Sequence, residues 1–125
     1  MINDLYIKRT ALSPEISFKA NGELIMEGIS TPDNVTEFFT PIFDWVKDFE
    51  KTNSKSINLE MYFDYLNTSS TRILVEFINL LKDFKKKGID VSFIWKYEDD
   101  DEDMEEFGEE LALVTGTEIK RVSVS

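Results

Sequence analysis

Tyr65-Leu66-Asn67-Thr68-Ser69-Ser70-Thr71-Arg72 separates an alternating apolar run from a long run with helical periodicity. It reads as a strand-to-helix turn, with four consecutive hydroxyl residues, Thr68 to Thr71, at the helix entrance. The first turn of a helix offers backbone N–H groups that have no partner inside the helix, together with the positive end of the macrodipole. An anionic group is stabilised there. Asn67 and Thr68 are also ordinary N-cap residue types. A capping role and a ligand or regulatory role are therefore both open to these residues.

On the N-terminal side, Ile57, Leu59, Met61 and Phe63 alternate with Asn58, Glu60, Tyr62 and Asp64. This is the period of a strand with one buried face. Each apolar side chain contributes about 1.5 to 3 kcal/mol of transfer free energy when buried. The polar alternate face predicts a sheet covered by helices on one side and partly open on the other. On the C-terminal side, Ser69 to Lys87 carries Ile73, Leu74, Phe77, Ile78, Leu80, Leu81 and Phe84 on a wide stripe. Lys85-Lys86-Lys87 suits the negative end of that helix, and Gly88 is placed to stop it. The stripe sorts the hydroxyls. Ser70, three before Ile73 and seven before Phe77, should pack against the sheet, and Ser69 lies to one side. Thr68, at the cap position, should face solvent. Ile89 to Tyr97 reads as the next strand, and a strand-helix-strand order at this spacing predicts a parallel pair joined by a right-handed crossover.

Further out, Leu5-Tyr6-Ile7 is a short apolar patch, read as an edge strand or an arm. Ala20-Asn21-Gly22 between Glu15–Lys19 and Glu23–Glu27, with the Asn-Gly dipeptide favoured where a tight turn needs positive φ, predicts a β-hairpin. Gly28 to Asp33 reads as a loop. Asn34 to Lys51 has one apolar helical face, Val35, Phe38, Phe39, Ile42, Phe43, Val46 and Phe49. Pro41 predicts that this helix either kinks or begins just before it. Trp45 falls off the stripe and could anchor a partner or cover the edge of the core. Asn53 to Ser56 is a polar connector. Met104, Phe107 and Leu111 predict a third helix ended by Gly116, and Ile119 to Val124 a short final strand.

Composition narrows the chemistry. The 125 residues contain no cysteine and no histidine. That excludes thiol redox chemistry, Cys/His zinc sites and every triad that needs an imidazole. The length suits one domain over residues 1–125, and neither a disulfide nor a metal is needed to hold it. No apolar run is long enough to span a bilayer, and Met1-Ile2-Asn3-Asp4 lacks a secretory pattern, so a cytoplasmic location is expected. The net charge is −11, and ten of the 25 acids lie between Glu98 and Glu110, where there is no base. The remaining 15 acids nearly balance 14 Lys and Arg. Nucleic acid and anionic membrane are poor partners for such a chain. Asp99, Asp101, Asp103 and Glu110 match EF-hand positions, but Met104 stands where that loop needs glycine and Glu106 where it needs an apolar residue. A solvated acidic loop leading into a helix accounts for the run without a metal. Steering of a basic partner is a third reading. Neither a cofactor nor a metal site is expected.

The segment Tyr65 to Ser70, after the strand Ile57 to Phe63, resembles the signature of the SiaC-type regulatory phosphoproteins, a family related in fold to the STAS domains of anti-sigma-factor antagonists. Ser13-Pro14-Glu15-Ile16, Asn21-Gly22, the Pro32 to Trp45 region, Phe93-Ile94-Trp95-Lys96-Tyr97 and Gly108-Glu109-Glu110 extend the likeness over most of the chain. The expected architecture is an α/β, STAS-like single domain: a mixed sheet with an N-terminal β-hairpin and about three helices packed mainly on one face.

The resemblance implies a function as well. Thr68 matches the threonine that the family's dedicated kinase phosphorylates and its PP2C-like phosphatase restores. The unmodified protein would bind and activate a diguanylate cyclase. Tyr65, Asn67, Thr68, Ser69 and Arg72 are the expected contact residues, with Arg72 placed to pair with a phosphate on Thr68 or, without one, with Glu76. No local base or oxyanion site activates Thr68 or Ser69 as a nucleophile, and no glycine-rich phosphate loop exists, so the chain is expected to be a substrate of enzymes and not itself an enzyme. The alternative is a constitutive STAS-like scaffold or anti-sigma-factor antagonist whose hydroxyls only cap the helix. A sigma-factor regulator or another kinase-family protein fits the same surface as the regulated partner.

Overall fold

The computed structural model describes residues 2–53 and 56–125; Ser54 and Lys55 of the predicted connector lie outside the described residues. The chain forms β1 (Leu5–Ile7), β2 (Glu15–Phe18), β3 (Glu23–Ser30), α1 (Val35–Glu50), β4 (Ser56–Leu66), α2 (Thr68–Lys86), β5 (Asp90–Glu98), α3 (Glu102–Thr115) and β6 (Lys120–Val124). The six strands make one sheet in sequence order. β1, β2 and β3 pair antiparallel, and β3 to β6 pair parallel. Because the parallel strands advance across the sheet in one direction, crossovers of a single hand place all three helices on the same face. α2 sits centrally, packed against both α1 and α3.

The core lies between that helical layer and the sheet. Ile57, Leu59, Met61 and Phe63 of β4 face it as their alternation predicts, joined by Leu24 and Met26 of β3 and by Val91, Phe93 and Trp95 of β5. The opposite face is polar and charge-paired. Lys96 Nζ lies 3.2 Å from Glu60 Oε2, and the Tyr62 hydroxyl donates to Glu98. That hydrogen bond, followed by desolvation and by the charges of Glu98, Asp64 and Glu27, pushes the Tyr62 phenol up to about 12. The folded chain thus holds this proton more tightly than the unfolded one. The resulting stabilisation is complete below the ordinary phenol pKa of about 10 and is lost as pH rises through the folded value. In phenolate absorbance, Tyr62→Phe should remove a titration step near that upper limit; removal of a step near the ordinary value would mean that the bond is not kept in solution.

The predicted hairpin forms around Ala20-Asn21-Gly22: Lys19 N–H donates to Glu23 O at 2.9 Å, and Gly22 alone in the loop has positive φ, at 96°. Asn21 contributes its side chain, accepting from Glu23 N–H at 3.0 Å. Two other expectations need correction. Gly28 to Ser30 continue β3, so the loop expected over residues 28–33 begins only at Thr31. Of the two readings of Pro41, a helix start just before it is excluded: α1 starts six residues earlier and runs through it. Pro41 and Glu37 are both exposed, so the Glu37 carbonyl that loses its helical donor is open to water.

Trp45 covers the core edge. It is 8% exposed, its Nε1 donates to Asn3 O at 2.7 Å, and its ring packs on Phe18 and Phe49. The acidic run ends β5 and starts α3. Asp101 caps that helix by accepting from Met104 N–H at 3.1 Å, and Glu102, Asp103 and Glu105 fill its first turn, where the dipole favours them. Residues 102–110 are helical, which an EF-hand loop is not. Gly116, at φ 64°, ends α3 as predicted.

Candidate functional site

The predicted turn lies at the carboxyl ends of β3 and β4. Two local features shape it. The first is a register shift: Gly28 pairs with Phe63 but Ile29 pairs with Tyr65, which leaves Asp64 as an extra residue in β4. The shift reverses the alternation. Leu66 turns into the core, and Tyr65 turns out with 57% of its surface exposed. Gly28 accommodates the irregularity at φ 119°.

The second feature is the cap. Asn67 is the N-cap: its backbone is extended, and its Oδ1 accepts from Ser70 N–H at 2.8 Å. Thr68 is therefore the first helical residue and not the cap, a correction of one position. The asparagine side chain reaches the third helical N–H from a backbone that has not yet entered the helix. Thr68 and Ser69 remain exposed, and neither hydroxyl has a hydrogen-bond partner among the described residues. Ser70 is fully buried, as its place on the stripe predicts, with Oγ 2.8 Å from Ser30 Oγ. Thr71 is half-buried and donates to Asn67 O at 3.0 Å. Only Thr68 and Ser69 of the four hydroxyls can meet an incoming enzyme.

Arg72 is exposed one turn after Thr68. Among the described residues it forms no ion pair, so the pairing with Glu76 is not made and the guanidinium is available to another anion. Ile29, 37% exposed, sits beside Tyr65 in register. Leu12, 48% exposed, is tied to the same end of the sheet through its carbonyl, which accepts from Thr31 N–H at 2.7 Å. Sequence reading missed Leu12, Ile29 and Ser30. The alternation of Leu24, Met26, Gly28 and Ser30 against Ile25, Glu27 and Ile29 does carry the strand through Ser30, but two small residues on its inner side hide the pattern.

The turn, the sheet order and the helix layer match known proteins. A family description, "SiaC family regulatory phosphoprotein", fits residues 7–124. The chain belongs to the SiaC family. A curated relative from Pseudomonas aeruginosa strain UCBPP-PA14 is 34% identical over 111 residues, 87% of each chain. The crystal structure of apo-SiaC from P. aeruginosa superposes with a TM-score of 0.89 at 29% identity, covering 98% of this chain and 100% of that one. SiaC in its crystal structure with the diguanylate cyclase SiaD, of which it is the activator, gives 0.91 at 30% identity over 97% and 100%. The SiaC fold thus carries the six-stranded mixed sheet and three helices found here, and the family is a regulatory one.

Proposed function

We propose that the whole chain, 1–125, is a signalling switch that is phosphorylated on Thr68 by a protein kinase and restored by a PP2C-like phosphatase. Its unmodified form binds and activates a diguanylate cyclase. The observation that carries this reading is the sorting of the hydroxyls: Thr68 is exposed and uncommitted at the head of α2, while Ser70 is buried and Thr71 is tied to Asn67. Between the two exposed hydroxyls we choose Thr68, the residue implied by the resemblance of Tyr65 to Ser70 to the family's signature. The exposed apolar side chains of Tyr65, Ile29 and Leu12 at the same end supply contact area for a protein partner, with Asn67, Ser69 and Arg72 as polar contacts. Among the described residues no helix is long and apolar enough to cross a membrane, and we place the switch in the cytoplasm, where its partners act. The chain acts through binding and not through turnover.

Capture of the cyclase by unmodified and by Thr68-phosphorylated protein tests this reading. Thr68→Ala should leave the unfolding free energy nearly unchanged, within about 0.5 kcal/mol, because the residue is exposed and Asn67 keeps the cap. It should also retain the cyclase and abolish phosphorylation. Loss of capture by Thr68→Ala would show that the threonine itself, and not its charge, is recognised.

One observation favours a second reading, a constitutive scaffold. The Asn67 cap already satisfies the Ser70 N–H without any phosphate. That reading predicts no modification in cells and equal capture by Thr68→Asp.

A further inference from the structure

We infer that Ser30, on β3, is a positioning residue for Thr68. Three hydrogen bonds close a ring between β3 and the head of α2. Asn67 N–H donates to Ser30 O at 3.1 Å, Ser70 N–H donates to Asn67 Oδ1 at 2.8 Å, and Ser30 Oγ–H donates to Ser70 Oγ at 2.8 Å. Both serines are fully buried, so the Ser30 hydroxyl finds in Ser70 Oγ the acceptor that water cannot supply there. The ring holds Asn67 at two points: its N–H on Ser30 O, and its side chain on the Ser70 N–H of the turn it caps. Thr68 follows Asn67 directly and has no side-chain tie of its own among the described residues. Its placement is therefore inherited from the ring. Ser30 also follows Ile29, so the same bonds connect an exposed residue of β3 to the head of α2. Displacement of the end of β3 by a docking partner would be transmitted to the residue that carries the switch.

The inference rests on Thr68 as the modified residue, but it can be tested without a kinase. Because the chain has no cysteine, Thr68→Cys introduces a single thiol. A thiol at a well-formed helix N-terminus titrates below its ordinary value of about 8.5. The decisive comparison places this thiol in the otherwise unaltered chain and in a Ser30→Ala/Ser70→Ala background. Removing both hydroxyls leaves no buried orphan and preserves the fold better than either single change. Alkylation by iodoacetamide across pH should report a depressed thiol pKa in the parent and a return toward the ordinary value in the double variant. Amide exchange at residues 69–71 should rise about three- to tenfold, the loss expected for one net hydrogen bond, with exchange in β4 and β5 unchanged. An unchanged thiol pKa and unchanged local exchange would overturn the inference. So would a uniform rise across the sheet, which would make the pair a general packing contact. Whether Thr68 is phosphorylated in the unaltered chain is read separately and bears only on the switch.

Discussion

Phosphorylation of Thr68 should lower affinity for the regulated partner by about 30- to 4,000-fold while leaving the fold intact. The modification adds a charge of about −1.5 to −2. Within the free protein that charge is tolerated. It lies at the N-terminus of α2, where the dipole contributes about 0.3 to 2 kcal/mol, and Arg72, which forms no ion pair among the described residues, stands one turn away. Thr68 is exposed, and neither the Asn67 cap bond nor the bond between the buried serines uses its side chain, so the core need not move. In a complex the balance reverses. A dianion pressed into an interface without a counter-charge costs about 2 to 5 kcal/mol, more than the dipole returns, and this converts to the stated loss of affinity. Exclusion from the interface therefore outweighs refolding as the switching mechanism. Titration calorimetry and circular dichroism on the same samples check both halves: binding should weaken sharply, with no change in helical signal. Thr68→Asp, with a single charge, should weaken binding in the same direction by a smaller factor. A large loss of helical signal on phosphorylation would instead place the switch in α2 itself.

Gly22→Ala should be among the most damaging single substitutions, even though it lies in a hairpin loop far from the proposed switch. Gly22 adopts φ 96°, where an L side chain costs about 1 to 2 kcal/mol. A Cβ there would also stand 2.1 Å from the backbone carbonyl oxygen of Ser56, at the start of β4. No rotamer relieves a backbone clash. β3 and β4 must move apart at the point where Asn58 N–H donates to Gly22 O at 2.9 Å, and forced overpacking of this kind costs about 1 to 3 kcal/mol. The combined loss of about 2 to 5 kcal/mol takes a large share of a typical domain stability of about 5 to 15 kcal/mol. In thermal melts it corresponds to a fall on the order of 10 to 20 °C. Asn21→Ala is the control. Asn21 has negative φ and contributes one side-chain bond to Glu23 N–H, so its loss should cost about 1 kcal/mol. Comparable damage from the two changes would mean that neither the positive φ of Gly22 nor its approach to Ser56 O limits the loop.

The contrast between those two residues shows what the chain revealed before its fold was known. Periodic patterns were readable because burial repeats them. The alternation of Ile57 to Phe63 and the stripe of α2 each follow from one buried face, the stop at Gly116 from its left-handed backbone, and all three appear where expected. The same logic places Ser70 inside, where it is fully buried. Local chemistry was less decisive where two solutions satisfy the same residues. Asn67 or Thr68 can cap α2 until backbone geometry chooses the asparagine. What could not be read depended on distant partners. The outward turn of Tyr65 needs the register shift opposite Gly28. The burial of Trp45 needs the carbonyl of Asn3, 42 residues away. Ser30 acquires meaning only when α2 brings Ser70 above it, across 40 residues.

The central claim is that one exposed threonine carries the regulatory phosphate. It is tested most directly by mass-spectrometric localisation of phosphate on the protein isolated from its native cells, with Thr68→Ala protein compared in parallel. Phosphate is expected on Thr68, and none on the Thr68→Ala chain. Phosphate on Ser69, or on the buried Ser70, with Thr68 unmodified would contradict the account.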